Sequence, residues 1–213
     1  MTTDTAKADM SYTFNEAVRG VYMSIFEPKT FQKNGKSVGD PKFSLLLLIP
    51  KESGEINGLK SKMAEAAKAK WPTRAMSELK FPISTGEKVA EKAKVKGKNR
   101  DFALGHLVLS TRSKFPPTIS VLENGKIITL DSDALKAKYK GKFYSGSFVA
   151  VSVNFVAYEG DMGEDGITAY IQSVLWVKDG ERIGGGRDQS EVFKQYMGST
   201  TDEDPLNDDE IPF

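Results

Sequence analysis

Cysteine is absent from this chain of 213 residues, and histidine occurs once, at His106. Without cysteine there is no disulfide framework, no thiolate metal site and no cysteine nucleophile. One histidine cannot form a histidine-based metal cluster, and its apolar surroundings indicate a structural role. The sequence also contains no GxSxG, HExxH or P-loop pattern. We therefore expect no enzyme activity, no metal and no cofactor.

Long apolar runs are scarce as well. The longest, Leu45 to Ile49, is far too short to cross a bilayer. Residues 1–10 lack the basic start and the apolar core of a secretory signal. We expect a cytoplasmic protein with no membrane partner.

Two remaining patterns could suggest ligand binding but match no template. Asp161, Glu164 and Asp165 miss the spacing of a calcium-binding loop, and we interpret them as a solvated hairpin tip. Gly184 to Gly186 do not open a long helix after a strand, as a phosphate-binding loop would, so we interpret them as a flexible exit from the domain.

Charge is unevenly distributed, although the formal net charge is only +1. Residues 202–213 carry six acidic side chains and no Lys or Arg. The rest of the chain therefore holds 30 basic side chains against 29 minus 6, or 23, acidic ones, a net charge of about +7. Such a basic body favours a polyanionic ligand, and the acidic end requires a separate explanation.

The residue pattern predicts a mainly β chain with one substantial helix. Strands are predicted over 19–26, 43–49, 104–111 and 167–178, with a bent strand over 143–158 and a hairpin over 119–130 around Asn124-Gly125. Helices are predicted over 59–71, 132–138 and 189–197. The lysine-rich stretch 87–100 shows no sustained period, which predicts a solvated loop.

Turn-rich spacing of strands around one inserted α-helix indicates an antiparallel barrel. A five-stranded oligonucleotide-binding (OB) barrel with additional hairpins is the closest common fold, although periodicity does not separate it from another small barrel or sandwich. We expect a flexible N-terminus over 1–12, an OB-fold domain over 13–197 and a disordered acidic tail over 198–213.

Basic residues alternate with aromatic ones on the predicted strands and loops. Single-stranded nucleic acid needs cations for its phosphates and flat rings on which its bases stack. On the first strand Tyr22 and Phe26 share one face, and on the last strand Tyr170 and Trp176 share the outward face. The predicted DNA-binding residues are Tyr22, Phe26, Lys29, Phe31, Lys33, Lys36, Lys94, Lys96, Lys98, Arg100, Arg112, Lys114, Lys140, Lys142, Tyr144, Tyr170 and Trp176.

The last six residues, DDEIPF, closely resemble the terminal motif of bacterial single-stranded-DNA-binding proteins, with Glu210 where the commonest form has Asp. The predicted partner-binding residues are Asp208, Asp209, Glu210, Ile211, Pro212 and Phe213. Phe213 offers a ring and a free carboxylate to a pocket, and Pro212 limits the conformations lost on binding.

The body resembles a family of tailed-phage single-stranded-DNA-binding proteins, similar in layout to those of podophages. The segments GDPKFSLLLLIP and DGERIGGG carry this resemblance. It implies an OB barrel with an inserted helix, and a protein that coats and protects single-stranded DNA during phage replication, recombination or repair in the host cytoplasm. The tail would recruit host or phage replication, recombination and repair proteins.

Three alternatives remain open at this point. The barrel could bind RNA, or it could be a protein-interaction adaptor that binds no DNA. The oligomeric state is also open, with a homo-oligomer as one alternative.

Overall fold

A computed structural model describes residues 9–33, 36–160 and 164–184, without the side chains of residues 31–33, 36 and 38. Contacts group Met1–Ile183 into one compact unit and Gly184–Phe213 into a second. The predicted helix over 189–197 and the predicted tail over 198–213 lie outside the described residues. No helix in the described ranges is long and apolar enough to cross a membrane.

The described residues form nine strands and three α-helices, with three short 3₁₀ helices at 76–78, 101–103 and 140–142. The strands are β1 (Ser11–Thr13), β2 (Val18–Lys33), β3 (Lys36–Pro50), β4 (Ile83–Thr85), β5 (His106–Ser113), β6 (Thr118–Glu123), β7 (Lys126–Thr129), β8 (Phe148–Tyr158) and β9 (Gly166–Lys178). The helices are α1 (Glu55–Lys70), α2 (Gly86–Lys94) and α3 (Asp133–Tyr139).

Five of these strands close into a barrel. β2 pairs with β3, β3 with β5, β9 with β8, and β8 returns to β2, all antiparallel. The remaining seam joins β5 to β9 in parallel, in register at Thr111 and Ala169. This is the closed five-stranded arrangement of the predicted OB fold, with one seam parallel where we predicted an antiparallel barrel throughout.

Side chains from the apolar run of β3 pack in the interior of the barrel. Leu45, Leu47 and Ile49 are completely buried among the side chains of the main core. Leu48 points to the outer side and joins a second, smaller cluster with Val21, Ala103 and Val108. Because β3 is buried on both faces over this stretch, its sequence is continuously apolar instead of alternating.

The hairpin and the short helix after it are confirmed. β6 and β7 are joined at Asn124 and Gly125, whose φ values of 50° and 73° are those of a left-handed two-residue turn. The Ser132 side chain accepts a hydrogen bond from the Leu135 N–H and so caps α3.

The prediction of a solvated loop over 87–100 is wrong for its first half, which is helix α2. The Thr85 hydroxyl caps the helix by accepting a hydrogen bond from the Lys88 N–H. Ala90 and Ala93 are buried, and Val89 packs against the smaller cluster. Small buried residues three apart give a weak apolar signal among so many lysines, which is why periodicity did not reveal this helix.

The strand predicted over 143–158 is confirmed, but its predicted start and its bend are not. β8 begins at Phe148 and alternates regularly. Its register with β9 shifts between Phe148 and Val149, and the extra residue lies in β9, because Phe148 pairs with Lys178 and Val149 with Trp176. Residues 140–142 instead form a 3₁₀ helix. The apolar residue before the strand, Phe143, is buried because its ring meets that of Phe26 edge-on, with centroids 5.3 Å apart.

A buried carboxylate fastens the N-terminal strand to α1. Glu55 is 3% exposed and accepts hydrogen bonds from the Tyr12 hydroxyl at 2.5 Å and from the N–H groups of Asn15 and Glu16 at 2.8 and 2.9 Å. Burial raises the pKa of Tyr12, and the hydrogen bond to Glu55 adds to that rise. Since the carboxylate satisfies three donors, its removal would leave all three without their partner.

We predict that Glu55→Ala lowers the free energy of unfolding by about 2 kcal/mol, because hydrogen bonds to a buried charged acceptor are among the costlier ones to lose. Urea denaturation followed by circular dichroism measures the change. Glu52→Ala, at an exposed position of the same connection, is the matched control and should stay within about 0.5 kcal/mol of wild type. Equal effects of the two substitutions would contradict a fastening role for Glu55.

Candidate nucleic-acid interface

An open groove lies on the outer surface of the barrel, across strands β3, β5, β8 and β9. Its wall includes Lys42, Arg112, Lys114, Tyr158 and Tyr170, which we call the groove residues. The strand pairing explains their proximity. Ser44 lies opposite Arg112 in the β3–β5 ladder, and Tyr170 lies on β9, one residue beyond the Thr111 to Ala169 seam.

One further cation, Lys29, extends this face. Lys29 of β2 lies directly opposite Lys42 of β3, so both side chains project from the same face of the ladder. Lys29 is exposed. Like charges placed opposite one another destabilise a sheet slightly unless an anion lies between them.

Aromatic rings border the groove and are open to solvent. Tyr170 is 42% exposed, Tyr158 is 37% exposed, and Phe115 on the connection after β5 is 80% exposed. Exposed rings on a rigid sheet offer flat surfaces at little entropic cost, as base stacking requires.

The charges at the groove differ in how they are neutralised. Lys114 donates to the Asp40 carboxylate at 2.9 Å, which lowers the pKa of Asp40 and raises the pKa of Lys114. Both groups are therefore charged at neutral pH. Arg112 is exposed and has neither an ion pair nor a side-chain hydrogen bond within the described part of the chain. An incoming phosphate would meet a free guanidinium at Arg112 and a lysine already paired at Lys114.

A second cluster of rings and charge lies further along β2. The Tyr22 ring is 45% exposed, with the Arg100 guanidinium 5.0 Å from its centroid and the Phe102 ring edge-on at 6.0 Å. Tyr22 has a φ of 53°, which marks an irregular point in the strand, and its N–H donates to the Ser145 hydroxyl at 3.0 Å. We call Tyr22, Arg100 and Phe102 the Tyr22 cluster.

Half-buried side chains lie between the groove and the Tyr22 cluster on the outward side of the sheet. Ser24 lies opposite Ser44, and Ser110 of β5, which also lines the groove, lies opposite Leu46. Leu46 packs against the smaller apolar cluster together with Phe102. The groove and the Tyr22 cluster are therefore two separate regions of this side of the barrel.

Lysines of α2 and the following turn lie beside the Tyr22 cluster. Lys94, Lys96 and Lys98 are exposed, and only Lys94 of these three has a close acid in the described residues, with its Nζ 3.6 Å from Asp101. Arg100 lies two residues after Lys98, and it is the member of these four predicted residues that contacts Tyr22.

Three other predicted residues, Phe26, Lys140 and Tyr144, lie apart from the groove or have other contacts. Phe26 packs against the main core, so Tyr22 and Phe26 do not share an open face. Lys140 pairs with Glu27 at 2.8 Å. The Tyr144 hydroxyl donates to Gly180 O at 2.9 Å and accepts from Gly180 N at 3.1 Å, and Arg182 lies 4.2 Å from its ring.

The prediction that Trp176 shares the outward face with Tyr170 is wrong. Trp176 is 7% exposed and belongs to the main core, with the Lys142 Nζ 4.0 Å from its ring centroid. The cause is a register shift in the pairing with β8, where Val153 faces Ile171 but Ser152 faces Ser173. The extra residue in β9 reverses the alternation, so Val174 and Trp176 face the core whereas Tyr170 and Gln172 face outward.

Several predicted residues lie outside what the structure describes. Phe31 and Lys33 belong to β2, and Lys36 belongs to β3, but their side chains are not among the described ones. The partner-binding residues Asp208 to Phe213 are also outside the described ranges.

Sequence reasoning missed Lys42 and Tyr158 as groove residues. Lys42 has a usable signal, since it begins an alternation with Ser44 on the face opposite Phe43 and Leu45. Tyr158 has a weaker one, because its place beside the groove depends on its pairing with Gly166 at the end of the β8–β9 hairpin.

The acidic residues before β9 are engaged in ion pairs. Glu164 pairs with Lys80 at 2.6 Å, and Asp165 pairs with Arg74 and accepts a hydrogen bond from the Gly160 N–H. These contacts lower the pKa of Asp165, chiefly through Arg74. Within the described residues, no group of three or more His, Asp or Glu side chains could hold a metal ion.

A five-stranded barrel with rings and cations along one outward face defines an OB-fold protein of the oligonucleotide-binding class. Comparison with known proteins then gives the family. Residues 12–206 match the model of the family described as Enterobacter phage Enc34, ssDNA-binding protein. The chain belongs to this family.

Solved structures agree with this assignment. The single-stranded DNA-binding protein from bacteriophage Enc34 is 25% identical, with a TM-score of 0.58 over 84% of this chain and 87% of that one. Its complex with ssDNA matches at 24% identity and a TM-score of 0.58, over 79% and 87% of the two chains. Its C-terminal truncation matches at 24% identity and a TM-score of 0.59, over 83% and 94%. No curated protein matches the chain.

Proposed function

We propose that this protein binds single-stranded DNA in phage DNA replication and does so without enzyme activity, in the cytoplasm of the bacterial host. The observation that carries the proposal is the groove of cations and exposed rings on the outer surface of the barrel, in a chain that belongs to the family of a phage ssDNA-binding protein. The DNA-binding domain spans residues 13–197 in this proposal, and residues 198–213 form a separate tail.

In this proposal, cations bind the phosphates and aromatic rings stack on the bases. Arg112, Lys42 and Lys29 present cations to successive phosphates, which releases counterions and makes affinity fall with salt. Tyr170, Tyr158 and Tyr22 present ring faces to unpaired bases, which every base can use. Duplex DNA hides its base faces, so these rings favour single strands.

We predict that Tyr170→Ala and Arg112→Ala both weaken binding to oligo-dT, but in different ways. Loss of a stacking ring costs about 1 to 3 kcal/mol and leaves the salt dependence unchanged. Loss of one phosphate contact lowers the slope of log affinity against log salt by about 1. Fluorescence anisotropy at several salt concentrations measures both quantities.

Two exposed β7 residues away from the groove provide controls for this experiment. Lys126→Ala removes a cation and Ile127→Ala removes an exposed apolar side chain, and both should bind like wild type. The proposal fails if micromolar wild-type protein gives no binding at low salt. If an RNA oligomer displaced labelled oligo-dT at a concentration equal to or lower than that needed for a DNA competitor, the result would instead favour an RNA-binding protein.

A separate prediction concerns the ion pair at the groove. Asp40→Asn frees Lys114 from its carboxylate partner and should strengthen oligo-dT binding about threefold at low salt, because the groove gains one unpaired cation. Asp133→Asn is the matched control, since Asp133 also pairs with an exposed lysine, Lys136, outside the groove. If both substitutions strengthened binding equally, net charge and not groove position would be the cause.

We further propose that residues 208–213 dock onto replication, recombination or repair proteins. Phe213 would supply a ring to a pocket with a basic rim, while the preceding acidic residues attract that rim. The sequence supports this reading, because a purely solubilising tail needs no apolar end.

We predict that Phe213→Ala weakens retention of purified replication proteins on the immobilised full chain at least tenfold, because the pocket loses the ring that fills it. Affinity for oligo-dT should stay within about twofold of wild type. Surface plasmon resonance measures the first quantity and anisotropy the second. A loss of both affinities to the same extent would contradict this division of labour.

A further inference from the structure

A second recess adjoins the groove on the far side of Tyr170. Lys114 and Tyr170 belong to both walls, so the two cavities meet at these residues. The groove wall is rich in cations, whereas the recess adds a ring and two amide side chains. The recess is lined by Lys114, Phe115, Pro116, Asn154, Tyr170 and Gln172.

Phe115 is presented to this recess by a fixed piece of backbone. The buried Ser113 hydroxyl accepts from the Phe115 N–H at 3.0 Å and donates to the Phe115 carbonyl at 2.7 Å. Pro116 and Pro117 follow and restrict φ. The Phe115 ring is 80% exposed, so its apolar surface stays in contact with water and adds nothing to the packing of the fold. Such a ring is ready to stack with little further loss of entropy.

Two amides lie on the same outward face as Tyr170. Asn154 is directly opposite Tyr170 in the β8–β9 ladder, and its side chain has no hydrogen-bond partner among the described residues. Gln172 follows two residues after Tyr170, and its Oε1 accepts from the Ser152 hydroxyl at 3.0 Å. That bond fixes the amide, leaving the two N–H groups of Nε2 for a ligand.

We propose that this recess is a base-recognition subsite for one unpaired nucleotide of bound DNA. The base stacks against Phe115 or Tyr170, the Gln172 N–H groups donate to acceptors on its edge, and Asn154 supplies a donor and an acceptor beside them. Arg112, on the wall of the adjoining groove, binds the neighbouring phosphate. This inference rests on the proposed function. Stacking alone accepts every base, whereas hydrogen bonds to the base edge would give the protein a preference among bases.

The test uses the full chain and oligo-dT, oligo-dC and oligo-dA of equal length, with affinities from anisotropy. Wild type should show at least a threefold spread among the three oligomers. Asn154→Ala combined with Gln172→Ala should reduce that spread to less than about 1.5-fold without changing the salt slope, since no phosphate contact is lost. Gln172→Glu, which replaces donors with acceptors at an exposed position, should change the order of preference.

Phe115→Ala should weaken binding to all three oligomers about tenfold, whereas Ile127→Ala, which also removes an exposed apolar side chain, should not. The subsite is overturned if wild type shows no spread, if the amide variants leave the spread unchanged, or if Phe115→Ala binds normally. In each case continued loss of binding in Arg112→Ala and Tyr170→Ala would leave the proposed function intact. Absence of wild-type binding to every oligomer would overturn both.

Discussion

The proposed binding face, which is the outward side of the barrel that carries the groove residues, depends on the parallel seam between β5 and β9. This seam is in register at one residue pair, Thr111 and Ala169, both completely buried. Thr111 also donates its hydroxyl to the Leu45 carbonyl at 2.7 Å, which ties the seam to β3. Because side chains alternate along a strand, the residues next to this pair, Arg112 and Tyr170, both point outward. Barrel closure thus places a cation beside a ring.

The core and the binding face use opposite sides of the same strands. Leu45 and Leu47 are completely buried inside the barrel, while Ser44 on β3 looks outward. Stability comes from the interior, so the outward face needs no apolar packing of its own there. Where the outward side of the sheet is covered, its residues are apolar, as at Leu48, which belongs to the smaller cluster. The open part of the face can therefore carry charges and exposed rings without loss of the fold.

The sequence allowed the strands, the hairpin and the barrel class to be predicted, since these depend on local periodicity and turn residues. It did not reveal α2, whose buried face is made of small alanines. The opposite facing of Tyr170 and Trp176 was also hidden, because one extra residue in β9 shows only in its pairing with β8. Lys42 and Tyr158 belong to the site through cross-strand neighbours, and a single sequence does not state which strands are neighbours.

The groove residues are mostly exposed, and in the proposed function such groups would make reversible, salt-sensitive contacts with phosphates. At the groove, the groups with shifted pKa values are Asp40 and Lys114, a solvent-exposed ion pair that stays charged at neutral pH. An exposed pair stabilises the fold little. In the proposed function its consequence is competitive, because Asp40 occupies a cation that a phosphate would otherwise bind. Affinity at this end of the groove would then lie below what its cations could provide.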